Sequence, residues 1–252
     1  HSAARKRRGP GAVPAGVGGI AAGSAAATMR PGAPAALRGG LEKPAATMGP
    51  LDLDRIETTL RTMADPGHAA NLPDVLNRLL VGYRYVDRLL AEGVELLDLG
   101  QSRHLLELNH IVLCGNSPKT RAEAADHLAE TERLFYEARP GGIADFNDWR
   151  ERNRGLAGPE LAAGCFIRIV SSPQLYVEGN QRTAMLVASY VLVRSGAPPL
   201  VLSARTKPEA ARLFGEIKET RKTRLLEQPR LWKLQRRLAA FIVATADPAL
   251  LA

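Results

Sequence analysis

The stretch Ser172-Pro-Gln-Leu-Tyr-Val-Glu-Gly-Asn-Gln-Arg-Thr-Ala-Met185 decides how the rest of the chain is read. Apolar Leu175, Tyr176 and Val177 lead into Glu178-Gly179-Asn180, and a long apolar-rich run follows as far as Arg194. A helix that opens on a Gly-Asn pair leaves backbone N–H groups unpaired and pointing outward, which suits an anion. Glu178, just ahead of it, suits a divalent cation, and the Arg182 guanidinium suits a phosphate. Taken bare, these residues make a phosphate cradle. A loop with an N-cap and an incidental arginine is the plainer reading of the same four side chains.

Both sides of the stretch read as apolar helix. Pro159 opens a helix in its first turn, the run is strongly apolar to Val170, and Ser171-Ser172-Pro173 ends it. The helix after the stretch reaches Arg194 and closes at Gly196. Further upstream, Asp52 or Asp54 caps a helix with Leu53, Ile56, Leu60 and Met63 on one face, ended by Asp65-Pro66-Gly67. Asn71 caps the next, whose stripe of Val75, Leu76, Leu79, Leu80, Tyr83, Val86 and Leu90 has helical spacing. Gly82 and Gly93 weaken that helix. A third begins at Ser102 and stops at Gly115, a fourth is expected over 120–138, and Asp145 caps a short one holding Phe146 and Trp149. After a strand-like Leu200-Val201-Leu202, helices are expected at about 207–226 and 229–246.

Composition agrees with this pattern. The chain has 252 residues, 45% hydrophobic and only 5% aromatic, with 24% charged. Such a chain buries a sizeable core, and abundant Ala and Leu favour helix over strand. Cys114 and Cys165 sit in apolar helical contexts and read as small buried hydrophobes, not as a disulfide or metal framework. No apolar run reaches the ~20 residues a membrane span needs, so no membrane partner is expected and the cytoplasm is the expected location.

The net charge of +8 is concentrated in two segments. Residues 1–50 carry seven Lys/Arg against Glu42, and residues 218–237 carry eight against Glu219 and Glu227. Each segment is therefore +6 and the remainder about −4. Residues 1–50, rich in Ala, Gly and Pro, bury too little to offset their ordering entropy and read as a disordered basic tail. The basic run at 218–237 lacks aromatic interleaving, so nucleic acid is not the expected partner.

The central stretch resembles the signature of the Fic (Fido) domain family, His-x-Phe-x-(Asp/Glu)-Gly-Asn-Gly-Arg-x-x-Arg. Glu178, Gly179, Asn180 and Arg182 match outright, and Tyr176 keeps an aromatic in place of Phe. Gln174 stands for His, Gln181 for Gly and Met185 for the second Arg. Leu105-Leu106-Glu107-Leu108-Asn109 looks like a stretch found upstream of the motif in many members, and the resemblance spans residues 100–205. It implies an all-α fold: a compact, single-domain helical Fic-like domain over 51–252, with the motif between two central helices and room for a small β-hairpin flap.

The resemblance also implies chemistry. Family members transfer AMP from ATP to a protein hydroxyl, with the His as general base, the acid on Mg²⁺ and the loop around the phosphates. Carried across, Glu178 is the metal residue, and Gly179, Asn180, Gln181 and Arg182 hold ATP or another nucleotide. Gln174 occupies the catalytic position, but an amide does not titrate near neutrality and cannot serve as a base. Met185 removes one outer-phosphate contact. His104, His110 and His127 read as packed or surface histidines, not substitute bases. The Thr223–Gln228 segment is an imperfect match to the family's inhibitory motif and is taken as chance. The expected function is nucleotide binding with AMP transfer disfavoured; the alternative is a catalytically inactive module that binds a target or regulatory protein.

Overall fold

The apolar run that follows Asn180 is apolar on every side, and such a helix must lie inside a protein. A computed structural model describes residues 49–63 and 72–252, and in it helix α8 (Asn180–Arg194) is buried at every position from Thr183 to Val193. The other helices are α1 (Leu53–Arg61), α2 (Leu72–Ala91), α3 (Ser102–Cys114), α4 (Pro118–Glu123), α5 (Ala125–Glu137), α6 (Ile143–Arg152), α7 (Gly158–Val170), α9 (Lys207–Glu219) and α10 (Gln228–Ala244), of which α2, α3 and α7 pack directly on α8. Helix α7 packs on both α8 and α10, and α2 packs on α3 and α8. The fold is all-α. The disordered-tail reading of residues 1–50, the Asp65-Pro66-Gly67 turn and the Asn71 cap fall almost entirely outside the described residues.

No β-hairpin forms among the described residues. The ladder-like contacts there are two isolated bridges, Leu51 with Leu251 and Ser172 with Arg221. The first ties the two ends of the described fold together, with Asp52 N–H donating to Leu250 and Ala252 N–H to Pro50. Leu200-Val201-Leu202 is buried as a strand would be, yet it pairs with no strand. Its backbone polar groups instead find side chains: Leu200 N–H donates to Ser189 Oγ at 3.1 Å, and its carbonyl accepts Tyr83 O–H at 2.5 Å.

Three boundaries depart from the sequence reading. The single helix expected over 120–138 is two, because Ser117 caps a short helix with Pro118 in its first turn and the chain breaks at Ala124. Asp145 lies inside α6 instead of capping it, and Oδ2 reaches back to the Gly141 N–H at 2.6 Å. Helix α9 ends at Glu219, short of the expected 226. Asp52 is the residue that caps α1, accepting the Arg55 N–H at 2.9 Å, and α2 runs through Gly82 and stops before Gly93. Cys114 and Cys165 are buried and free. Among the described residues no helix is long and apolar enough to cross a membrane.

Candidate functional site

The loop between α7 and α8 is fixed first by the end of α7. A helix leaves its last carbonyls without intrahelical donors. Here Ser172 N–H is diverted to the Thr220 carbonyl at 2.9 Å, and Pro173 has no N–H. The orphaned carbonyls of Arg168, Ile169 and Val170 are each taken by a different donor. Lys222 Nζ serves Arg168 at 2.5 Å, the Leu175 N–H serves Ile169 at 3.1 Å, and Gln174 Nε2 serves Val170 at 3.1 Å. Gln174 thus serves the end of α7 through its side chain, three residues beyond the Ser171 C-cap.

Asn180 then closes the loop on itself. Its Oδ1 accepts the Tyr176 N–H at 3.0 Å, and its Nδ2 donates to the Tyr176 carbonyl at 2.8 Å and to Gln174 Oε1 at 3.4 Å. Tyr176 is the anchor beneath. Its ring stacks on Phe135 of α5, with centroids 5.4 Å apart and planes 5° from parallel, and its O–H donates to the Leu105 carbonyl at 2.9 Å. Burial pushes the Tyr176 phenol far above its ordinary value, so it stays neutral.

Gly179 is required twice over. Its φ is +74°, in the left-handed region, and a Cβ there would lie 3.0 Å from both Asn109 Nδ2 and Val112 Cγ2. That close approach lets fully buried Asn109 donate from Nδ2 to the Glu178 carbonyl at 2.9 Å and to Thr183 Oγ1 at 3.0 Å. Arg182 Nη1 donates to the Val112 carbonyl at 2.5 Å. Burial and then Arg78 lower the Arg182 pKa, while Glu178 acts in the opposite sense. The Asn109 contact bears on the Leu105–Asn109 stretch, whose last residue holds the motif loop from α3.

The first intrahelical bond of α8 runs from the Thr183 N–H to the Gly179 carbonyl at 2.9 Å. The N–H groups of Asn180, Gln181 and Arg182 therefore have no helical acceptor. Glu178 to Arg182 and Gln174 line one open cleft of about 490 Å³, and Val177 and Lys218 complete it. Lys218 is a residue that sequence reasoning missed as part of the site. It sat in the basic run, and only the return of α9 towards the loop gives it this position. Arg182 and Lys218 make the cleft cationic, and exposed Glu178 is the carboxylate that lines it.

Other expectations are sorted by the same geometry. Met185 is buried and does not line the cleft. His104 Nδ1 lies 2.7 Å from the Tyr85 hydroxyl, and His110 and His127 each have a buried Nε2 without a partner. None of the three lines the cleft. No group of three or more His, Cys, Asp or Glu side chains stands ready for a metal among the described residues. Glu178 alone suits Mg²⁺ that takes its other ligands from phosphates and water, not a resident ion in a protein cage. Comparison with protein-family models, with curated proteins and with solved structures finds no match for this chain.

Proposed function

We propose that the protein binds a nucleotide, ATP being the first to test, at the N-terminus of α8, with Mg²⁺ carried in on the phosphates and met by Glu178. The observation that carries this reading is one cleft lined by the first turn of α8, whose Asn180, Gln181 and Arg182 N–H groups lack helical acceptors, with Arg182, Lys218 and a single carboxylate beside them. Donors and cations of that kind complement polyphosphate, and the positive helix end adds to them. The Fic-like order of these residues supports the same reading.

Transfer of AMP to a protein hydroxyl would need a base for the hydroxyl proton. Gln174 cannot take it, and its amide is already engaged at both ends. Loss of general-base assistance slows such a step by about 10²–10⁴. The protein is therefore read as a nucleotide binder with little or no AMP transfer. The test is incubation of the wild type and Gln174→His with labelled ATP and Mg²⁺. The reading expects both to retain ATP in equilibrium dialysis and only Gln174→His to label itself or a target. Failure of both to retain ATP overturns it.

A second reading rests on one specific observation. Asn180 satisfies its side chain entirely within the loop, and Arg182 already holds the Val112 carbonyl. A loop built this way also serves as pure scaffolding in a regulatory or partner-binding module. That reading expects Arg182→Ala to lower stability and leave no nucleotide affinity to lose.

A further inference from the structure

A larger trough of about 850 Å³ lies between α6, α7, the 3₁₀ turn Leu225–Glu227 and α10. A smaller cavity of about 340 Å³ adjoins it, and the two share Arg152, Arg168, Lys222 and Thr223. Lys222 is only 8% exposed. Its bond to the Arg168 carbonyl uses one of three ammonium donors. The Arg168 guanidinium lies over the Trp149 ring, 5.7 Å from its centroid. Among the described residues, Arg152, Arg168, Lys222 and Arg236 belong to none of the ion pairs.

A buried ammonium beside a part-buried guanidinium, with neither in an ion pair, is costly to keep, and the fold fixes the Lys222 backbone at both ends. Lys222 N–H donates to the Ser172 carbonyl at 2.8 Å, and its own carbonyl accepts Gln228 Nε2 at 2.9 Å. A Cβ on Gly164 would lie 2.6 Å from the Trp149 ring, so the glycine admits the indole against α7. Three carboxylates also face these cavities. Asp145 already accepts the Gly141 N–H, and Asp148 and Glu160 are exposed. The opposite wall carries Leu225, Leu231 and Trp232 among polar Gln228, Gln235 and Arg236, with Leu225 86% and Trp232 60% exposed.

We propose that this trough binds a small phosphate-bearing molecule with an aromatic or apolar body, the phosphate seated on Arg152, Arg168, Lys222 and Thr223 and the body lying along Trp232. Guanidinium forks, an ammonium and a hydroxyl are the donor set a phosphate takes, and an exposed indole supplies a stacking face. Burial and the nearby Arg168 hold the Lys222 ammonium down to about 7, a penalty that a bound anion relieves.

The protein's two tryptophans both line this trough, so intrinsic fluorescence reports it directly. Phenyl phosphate is titrated against the wild type, with inorganic phosphate and phenol as the two halves of the probe. The proposal expects a saturable change in emission with phenyl phosphate, at least tenfold tighter than with either half. Arg168→Gln and the exposed-site variant Arg152→Gln should each weaken it about tenfold or more, the size of one charged hydrogen bond. Because Arg152 is exposed, its variant keeps the test valid even if Arg168→Gln misfolds. Arg182→Ala, in the motif cleft, should leave this binding unchanged, which separates the two sites. No saturable change, equal affinity for phenol, or indifference to Arg152→Gln overturns the proposal.

Discussion

Gln174 Nε2 donates to the carbonyl of Val170, the last residue of α7, at 3.1 Å. The Gln174 side chain completes a helix end. Gln174→Ala should therefore destabilise the fold by about 1 kcal/mol, the net worth of one such bond. Urea unfolding measures it. A variant as stable as the wild type would show that the cap contributes nothing.

Gly179 combines a positive φ with close contacts to Asn109 and Val112. Gly179→Ala meets both obstacles, and the left-handed conformation alone costs an alanine about 1–2 kcal/mol. The expected loss of stability exceeds that of Gln174→Ala, read as a larger drop in the urea midpoint. Equal midpoints would mean that the loop relaxes around the methyl group.

Asn180 pairs with both backbone polar groups of Tyr176. Asn180→Leu keeps the volume and leaves a buried N–H and C=O unmatched, each costing about 1–3 kcal/mol. This variant should be the least stable of the three, with the near-ultraviolet dichroism of the Tyr176–Phe135 stack reduced. Retention of that signal at wild-type strength would place the restraint on Tyr176 elsewhere.

Much of this arrangement was legible in the residues, and what was not has a physical reason. Apolar runs on both sides of Glu178–Arg182 announced α7 and α8, since a helix apolar all round has to be central. Asp52 before Leu53 announced the start of α1. The split at Ala124 was hidden because the charged outer face of 118–137 keeps helical spacing across the break. Leu200–Leu202 looked strand-like because it is a short apolar run; the partners of Leu200 are the hydroxyls of Ser189 and Tyr83, which no strand pattern reveals. Gln174 could be seen to lack a base's chemistry, but its role as a cap depends on Ser172 turning to Thr220, a contact 48 residues away in sequence. Lys218 and Lys222 were visible only as charges in a basic run. Tertiary return of that run sends one to the motif cleft and the other under α7.

Lys222 carries a pH signature. Burial first, then Arg168, lower its pKa from 10.5 to about 7, with Asp145 acting in the opposite direction. Between those two values the unfolded chain holds a proton that the folded one has released, so stability rises with pH across the window. Below about 7 the penalty is present in full. The slope from this one group reaches about 1.4 kcal/mol per pH unit. Urea unfolding over that window should give a flatter curve for Lys222→Met than for the wild type. Parallel curves would show that Lys222 stays charged in the fold.

The central claim is that Glu178 to Arg182 and Lys218 hold nucleotide phosphates, and calorimetric titration of ATP with Mg²⁺ tests it most directly. The wild type should bind ATP in the motif cleft. Arg182→Ala and Lys218→Ala should each weaken binding roughly ten- to a hundredfold, as loss of a charged contact of about 1.5–3 kcal/mol requires. Arg152→Gln in the separate trough should leave it unchanged. Absence of heat with the wild type, or affinity that ignores both Arg182→Ala and Lys218→Ala, would contradict the account.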